Sequence, residues 1–552
     1  MSDTPADPAP ITPASRGRKI VIFADGTGNS FTTQESNVWR LYSALDKTEK
    51  SGRTPIELQL ARYIPGVGTS ANRVLRLIDG ATGIGVPSNV RKLYRFLCWN
   101  WQPGDEIYLF GFSRGAFTVR TLAGMLRFQG LMPLEIDGRA VSDAEMKRNA
   151  ARAWEAYRAS TAPLWEAGPN GGLKMAPWIG ALRWLRDRTI ALKRRMFRQP
   201  THAEVLAARD PRLRPALPGD LPEDQRGGAV GIRYMGLFDT VEAYGFPFLG
   251  LREAWSWLIW PIIFRNRVCA KIVTRADQVL ALDDERKTFH PLQFDQTDAG
   301  TPKAPTLVRE TWFAGVHSDV GGGYPDDAVA MDPLLWIMAA AEAEGLRFAD
   351  GARQAFAARL YPRALIHDSR SGLAASYRYE PRPKSGGAGN GRAAPVLHRS
   401  VLTKIRTGAD GYAPLLLPER PSICDGPESH DSAGPAAMER EEDFDAEARR
   451  LVGWRVKANR ALIIFAVLFV ALPLGPMIDR AGLRGLWPGV VEIVKAWWSV
   501  VGLTLRPLIA LYSTIWSWAL VLLVVMAGLW WLGGDLKGRI KDKALRVWRF
   551  PA

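Results

Sequence analysis

The sequence predicts an α/β fold: a mostly parallel sheet with helices on both faces, followed by a membrane-spanning helical hairpin. Three observations predict it. Short apolar runs that read as buried strands recur along residues 18–420, and most end in Gly, Asp or His, where a loop begins. Helical spacing appears between them, at 88–101 and 116–129, and strands that alternate with helices pair in parallel. Two long stretches near the C-terminus carry no charge.

Residues 1–17 are rich in Pro and Ala and lack the basic start and apolar stretch of a secretory signal, so a disordered arm is expected. The strands are KIVIFAD (19–25), LQLARYIPG (58–66), EIYLFGF (106–112), GIRYMGLFD (231–239) and RETWFAGVH (309–317). Residues 130–230 interrupt this rhythm and are expected to form a lid or insertion. Within them Trp178, Leu182, Leu185, Leu192 and Met196 share one helical stripe on an otherwise basic segment, the pattern of a helix packed on the body or lying on a membrane surface. The apolar stretch 246–264 is interrupted by Arg252 and Glu253 and reads as a lid or pocket wall. Residues 384–394 read as a flexible loop. Residues 421–457, with the acidic run Glu439, Glu441, Glu442, Asp443 and Asp445, read as a polar linker.

The membrane region is expected at 458–552. Ala461 to Ile478 is a minimal span, near 461–478. Pro507 to Gly534 is uncharged for 28 residues, with a span near 507–532. Gly485 to Leu505 reads as interfacial or re-entrant. Nine of the 21 Trp residues lie after residue 450, suited to membrane interfaces. Basic residues flank the outer ends of the pair: Arg449, Arg450, Arg455, Lys457 and Arg460 before it, and six more from Lys537 to Arg549 after it. That bias predicts a bacterial inner-membrane protein with its body facing the cytoplasm, the alternative being a secreted effector acting on a target cell membrane.

The net charge of +16 favours anionic partners, lipid or nucleic acid, and no motif supports nucleic acid. Three scattered cysteines build neither a disulfide framework nor a zinc cluster. Asp319, Asp326 and Asp327 match no calcium-binding loop, so no metal and no cofactor are expected.

The chemistry centres on GFSRG. Gly111 and Gly115 stand two before and two after Ser113, between the strand EIYLF and the amphipathic helix AFTVRTLAGML. A nucleophile on so tight a strand-to-helix turn needs small residues at both positions, the elbow of an α/β-hydrolase. Ser113 would stand at a helix N-terminus, where backbone N–H groups, that of Arg114 among them, stabilise an oxyanion. A second donor is expected from the loop after the first strand, at Gly26 or Thr27. In this fold the acid and then the histidine follow the serine. Asp239 ends its strand and is the expected acid. Of the six histidines, His317 ends an apolar strand and leads into a glycine-rich loop; it is the expected base, with His290 in reserve. Asp25 is expected to order the loop after the first strand or to help bind a cation.

At this point the chain resembles a known family. VIFADGTGNS, RYIPGVGTS, IYLFGFSRGAFTVRTLAGML, MGLFDTVEAYG, LALDDERKTFHPLQF and WFAGVHSDVGGGYPD occur in that order. Together they resemble the α/β-hydrolase domain of unknown function 2235, best known from class-one type VI secretion lipase effectors. The resemblance implies a Ser113, Asp239 and His317 triad acting on acyl esters of glycerophospholipids. The expected partners are therefore a phospholipid membrane, anionic in character, and a lipid ester substrate. A general carboxylesterase, or an inactive hydrolase fold serving as a membrane-bound interaction module, are the alternatives.

Overall fold

The computed structural model describes residues 18–26, 35–47, 59–66, 85–161, 185, 188–189, 192, 195–196, 199–215, 229–241, 269, 271–294, 307–382, 395–408, 411–415, 417, 422–428, 439–440, 442–471 and 515–549. The arm 1–17, Thr27, most of the basic segment 178–198, the apolar stretch 246–264, the loop 384–394, and 472–514 with the end of the first expected span lie outside them.

The chain forms two units. The first holds residues 1–284, 288–369 and 382–436. Its sheet has eight strands: β1 (Lys19–Ala24), β2 (Gln59–Ile64), β3 (Glu106–Phe112), β4 (Ile232–Phe238), β5 (Val273–Ala281), β6 (Leu307–Phe313), β7 (Val396–His398) and β8 (Ser422–Cys424). Their order is β8-β7-β6-β5-β4-β3-β1-β2, and every pairing in it is parallel. The five strands expected from sequence are all present. β5, β7 and β8 were not anticipated, and β8 falls in the stretch expected to be linker.

Successive side chains of a strand point to opposite faces, and here both faces are dry. Ile20, Ile22, Ile107 and Leu109 pack on one side with helices α2 (Gly85–Asn100), α3 (Arg114–Gln129) and α4 (Asp143–Thr161). Val21, Phe23, Tyr108 and Phe110 pack on the other with α1 (Asn37–Ala44) and α5 (Met331–Ala343). The first part of the expected lid belongs to this core. Met146, Ala150, Ala153, Trp154 and Tyr157 of α4 are at most 5% exposed and join the cluster that covers the first face. The spacing of those residues is a helical stripe, and its apolar side is satisfied by the sheet rather than by a substrate. Of the expected stripe on the basic segment, the described Leu185, Leu192 and Met196 are exposed.

The second unit holds residues 285–287, 370–381 and 437–552. Its main elements are α7 (Glu442–Ala471) and α8 (Ile515–Val547); α6 (Arg399–Thr407) belongs to the first unit. The expected linker 421–457 is therefore corrected at both ends, to β8 and to the first half of α7. Its acidic run reads as solvated coil, but Asp443 and Asp445 occupy the first turn of α7, where carboxylates oppose the positive end of the helix dipole. Lys543 of α8 pairs with Glu447 of α7 at 2.7 Å, and Glu439 lies opposite Arg549 in an antiparallel ladder. The two helices thus run antiparallel, and the cations flanking the two uncharged stretches come to the same end. Arg455 pairs with Glu285 at 3.2 Å and lies over the Tyr379 ring, and Asn459 accepts the Tyr379 N–H at 2.7 Å.

Candidate active site

A parallel α/β sheet presents its loops, and so its chemistry, at the carboxyl ends of its strands. Ser113 directly follows β3, Asp239 directly follows β4, and His317 stands four residues past the end of β6. The sheet order brings those ends into one neighbourhood, although 204 residues separate Ser113 from His317.

Ser113 adopts φ 56° and ψ −122°, a conformation that costs a non-glycine residue on the order of 1–3 kcal/mol. The turn is held by the Ser113 N–H, which donates to the Phe238 carbonyl at 2.9 Å, and by the Phe117 N–H, which donates to the Ser113 carbonyl at 3.2 Å. The flanking glycines are required by contact. A Cβ at residue 111 would lie 2.5 Å from the Ala116 Cα, and one at residue 115 would lie 2.0 Å from the Ala24 carbonyl oxygen. Asp239 also has positive φ, 41°. Its N–H donates to the Val279 carbonyl at 2.8 Å, which pins the turn to β5.

The three side chains meet. His317 Nε2 is 2.8 Å from Ser113 Oγ, and His317 Nδ1 is 2.5 Å from Asp239 Oδ2. All three are at most 5% exposed. The imidazole is flanked by the Phe112 ring, at 4.8 Å between centroids, and the Phe289 ring, edge-on at 5.1 Å. These rings leave the histidine little room except the line between serine and aspartate. His317 opens a short helix, His317–Gly321, and its N–H donates to Asp284 at 3.2 Å. His290 makes no bond to either Ser113 or Asp239 among the described contacts.

One residue of the site was missed. Arg382 donates from Nη1 to Asp239 Oδ1 and from Nη2 to Oδ2, each at 2.7 Å, and both side chains are wholly buried. Burial by itself would raise the Asp239 pKa. The Arg382 charge and the hydrogen bonds from His317 and Arg382 outweigh it and hold the carboxyl well below its usual range. No local signal marks Arg382, since it shares a tyrosine- and proline-rich stretch with Arg378 and Lys384 and nothing in the pattern sets it apart.

Asp25, the residue after β1, accepts hydrogen bonds on both carboxylate oxygens. Its Oδ2 accepts from Ser36 Oγ and from the Tyr63 hydroxyl, each at 2.6 Å. Its Oδ1 accepts the Gly26 N–H at 2.6 Å. Gly26 does lie against the nucleophile: a Cβ there would be 3.3 Å from Ser113 Cβ. The N–H expected to meet the oxyanion is the one that donates to Asp25 Oδ1. Thr27 is outside the described residues, and Arg114 opens α3 as expected.

The aspartates weighed for calcium have other partners. Asp319 accepts from the Val316 N–H at 2.9 Å and faces His367 Nδ1 at 2.6 Å. Asp327 is bonded by Arg40 and by Arg359. Among the described residues no group of three or more His, Cys, Asp or Glu is placed to hold a metal ion.

A family model described as the catalytic domain of T6SS, Phospholipase effector Tle1-like, matches residues 18–340. An uncharacterized protein of Saccharomyces cerevisiae, YEL023C, is 32% identical over 137 residues, 22% of this chain and 19% of the yeast protein. The crystal structure of an uncharacterized protein from Pseudomonas aeruginosa aligns with 16% identity and a TM-score of 0.31, over 63% of this chain and 49% of that one. The chain therefore spans about a fifth of the first relative and about half of the second.

Proposed function

Because the chain belongs to the Tle1-like phospholipase effector family of the type VI secretion system, whose catalytic domain it matches over residues 18–340, we propose that it is a serine hydrolase of glycerophospholipid acyl esters. The observation that carries this reading is the position of His317, within hydrogen-bond reach of Ser113 on one side and Asp239 on the other.

In the proposed reaction Ser113 Oγ attacks the ester carbonyl while His317 Nε2 takes its proton. Asp239 accepts the Nδ1–H, which fixes the tautomer and stabilises the imidazolium. The tetrahedral oxyanion is met by the Arg114 N–H at the start of α3. Collapse expels the alcohol, a lysophospholipid, which receives the proton from His317. Water then attacks the acyl-Ser113 ester, His317 again taking the proton, and the fatty acid leaves with Ser113 restored.

We place the enzyme on a membrane. The uncharged part of α8 within the described residues, 515–534, is 20 residues, about 30 Å of helix and the thickness of a hydrocarbon core. Leu520, Val521, Leu523, Val524, Trp530 and Trp531 there are all exposed. Cations gathered at one end of the helix pair suit an anionic headgroup layer on that side. Family membership favours the membrane of a target cell over the inner membrane of the producer. The test is incubation of the purified protein with vesicles of phosphatidylethanolamine and phosphatidylglycerol, with mass spectrometry of the products. Lysophospholipid and free fatty acid in equal amounts are expected. Release of neither, from a protein whose Ser113 reacts with a fluorophosphonate, would refute the lipid substrate and leave a general esterase.

A further inference from the structure

The buried pairing of Arg382 with Asp239 goes beyond what a serine, histidine and aspartate need by themselves. Both terminal nitrogens of the guanidinium are fully used. Nη1 bonds Asp239 Oδ1 and the Ala281 carbonyl, the latter at 2.6 Å; Nη2 bonds Asp239 Oδ2 and the Phe289 carbonyl. The Ala281 N–H also donates to Asp239 Oδ1, at 3.0 Å. The carboxylate is thereby fixed in plane, with Oδ2 turned to the imidazole.

We propose that Arg382 is a positioning residue of this hydrolase: it holds Asp239 in register with His317 and, by neutralising that buried carboxylate, keeps the imidazole unprotonated to a lower pH than aspartate alone would. The proposal rests on the triad reading above. Its physical basis is a balance of charges. A lone buried carboxylate against Nδ1 favours the imidazolium strongly. A bidentate guanidinium on the same carboxylate leaves the buried pair without net charge, so the pull on the His317 proton is weaker. Among the described residues, three acidic groups also lie near the imidazole and are unchanged by the argument. Asp284 accepts the His317 N–H, Asp283 lies beside it on the same loop and accepts from the Gly315 N–H at 2.7 Å, and Asp319 sits two residues along the short helix. The elbow contributes the neutral Ser113 to the imidazole and carries Arg114 next to it, and the Phe112 and Phe289 rings lie against the imidazole. Among these groups Arg382 is the cation bonded to Asp239.

The measurement is the first-order rate of fluorophosphonate labelling of the full-length protein in detergent micelles, from pH 5 to 9. A rate constant, unlike a yield, does not depend on how much of the sample is folded. In Arg382→Gln the acid limb of the rate should move up by about one pH unit, with a lower plateau. In Arg382→Lys the limb should stay in place, because the charge remains. Its plateau should fall at least about tenfold, because one ammonium does not match both carboxylate oxygens. A limb in Arg382→Gln at or below the wild-type position overturns the proposal. If that variant is not recovered folded, Arg382→Lys decides, and a rate equal to wild type at every pH overturns it. Ser113→Ala separates the two levels. Labelling of that variant at the wild-type rate would sink the triad reading itself, whereas Ser113-dependent labelling that ignores Arg382 sinks only this inference.

Discussion

Ile20, Val21, Ile22 and Phe23 of β1 are wholly buried, whereas Leu520, Val524, Trp530 and Trp531 of α8 are 64–72% exposed. The same kinds of side chain meet opposite surroundings in the two units. In the sheet unit, each apolar face is covered by helices of the same unit, and the polar groups drawn inside have partners: Asp239 with His317 and Arg382, Asp25 with Ser36 and Tyr63. In the helical unit, Lys543 pairs with Glu447, Arg455 with Glu285 and Arg460 with Glu380, whereas Leu520, Val521, Leu523, Val524, Trp530 and Trp531 of α8 are exposed. Exposed apolar surface of that extent marks an interaction site. The comparison bears on the proposal that chemistry belongs to one unit and lipid contact to the other, and four experiments can break or sharpen it.

The largest effect is expected in the sheet unit. Ser113→Ala and His317→Ala should each lower hydrolysis of a short-chain soluble ester by roughly 10⁴-fold or more, and the double variant should lose little beyond either. Circular dichroism should be unchanged. Strict additivity in the double variant would mean that the two residues do not act as a unit.

The next effect belongs to the helical unit. Replacing Leu520, Val524 and Trp531 together by Asp should reduce partition into vesicles by at least about tenfold, since each apolar side chain removed from lipid forfeits roughly 1.5–3 kcal/mol. Hydrolysis of the soluble ester should stay within about twofold. Loss of soluble-ester activity in the folded variant would dissolve the division of labour. Point variants suit this test better than removal of everything after residue 440, which would also take Arg455 and Asn459 from Glu285 and Tyr379.

A smaller effect concerns the core of the sheet unit. His398 caps α6, accepting from the Ser400 N–H, and stacks on Phe313 at 4.6 Å. Burial pushes its pKa down to about 4, with Asp425 only partly opposing. A depressed folded pKa contributes stability that is present above the unfolded value, about 6.5, and is lost as the pH falls through the folded one. Between pH 6.5 and 4 the wild type should therefore lose stability on the order of 2 kcal/mol more than His398→Asn, which keeps a capping acceptor and does not titrate. Denaturant unfolding at both pH values reads the difference. Equal losses would show that His398 titrates normally.

The smallest effect separates the two histidines weighed from sequence. His290→Ala should change soluble-ester turnover by no more than about threefold, because His317 holds the bonds to Ser113 and Asp239. A loss matching that of His317→Ala would point to the wrong loop.

Much of the catalytic side was legible because its signals are local. Strand, tight turn and helix follow one another around Ser113, and Asp239 and His317 each stand at or just past a strand end. β7 and β8 were not legible, since three residues are too few to show a period and they exist as strands through their neighbours' hydrogen bonds. The first half of α7 was misread as linker because its acidic start hides a helix that is partnered elsewhere in its own unit, at Glu285 and Tyr379.

By itself, then, the sequence determined the parallel α/β layering, the elbow and the uncharged run of α8, because each depends on residues adjacent in the chain or one helical or strand period apart. Only the tertiary structure decided the partners of charge. Arg382 lies 143 residues beyond Asp239, and Asp25 accepts the Gly26 N–H on one oxygen and the Ser36 and Tyr63 hydroxyls on the other. The physical reason is that a buried carboxylate must find its counter-charge and donors wherever the fold brings them, and a pairing made through space leaves no period in the chain.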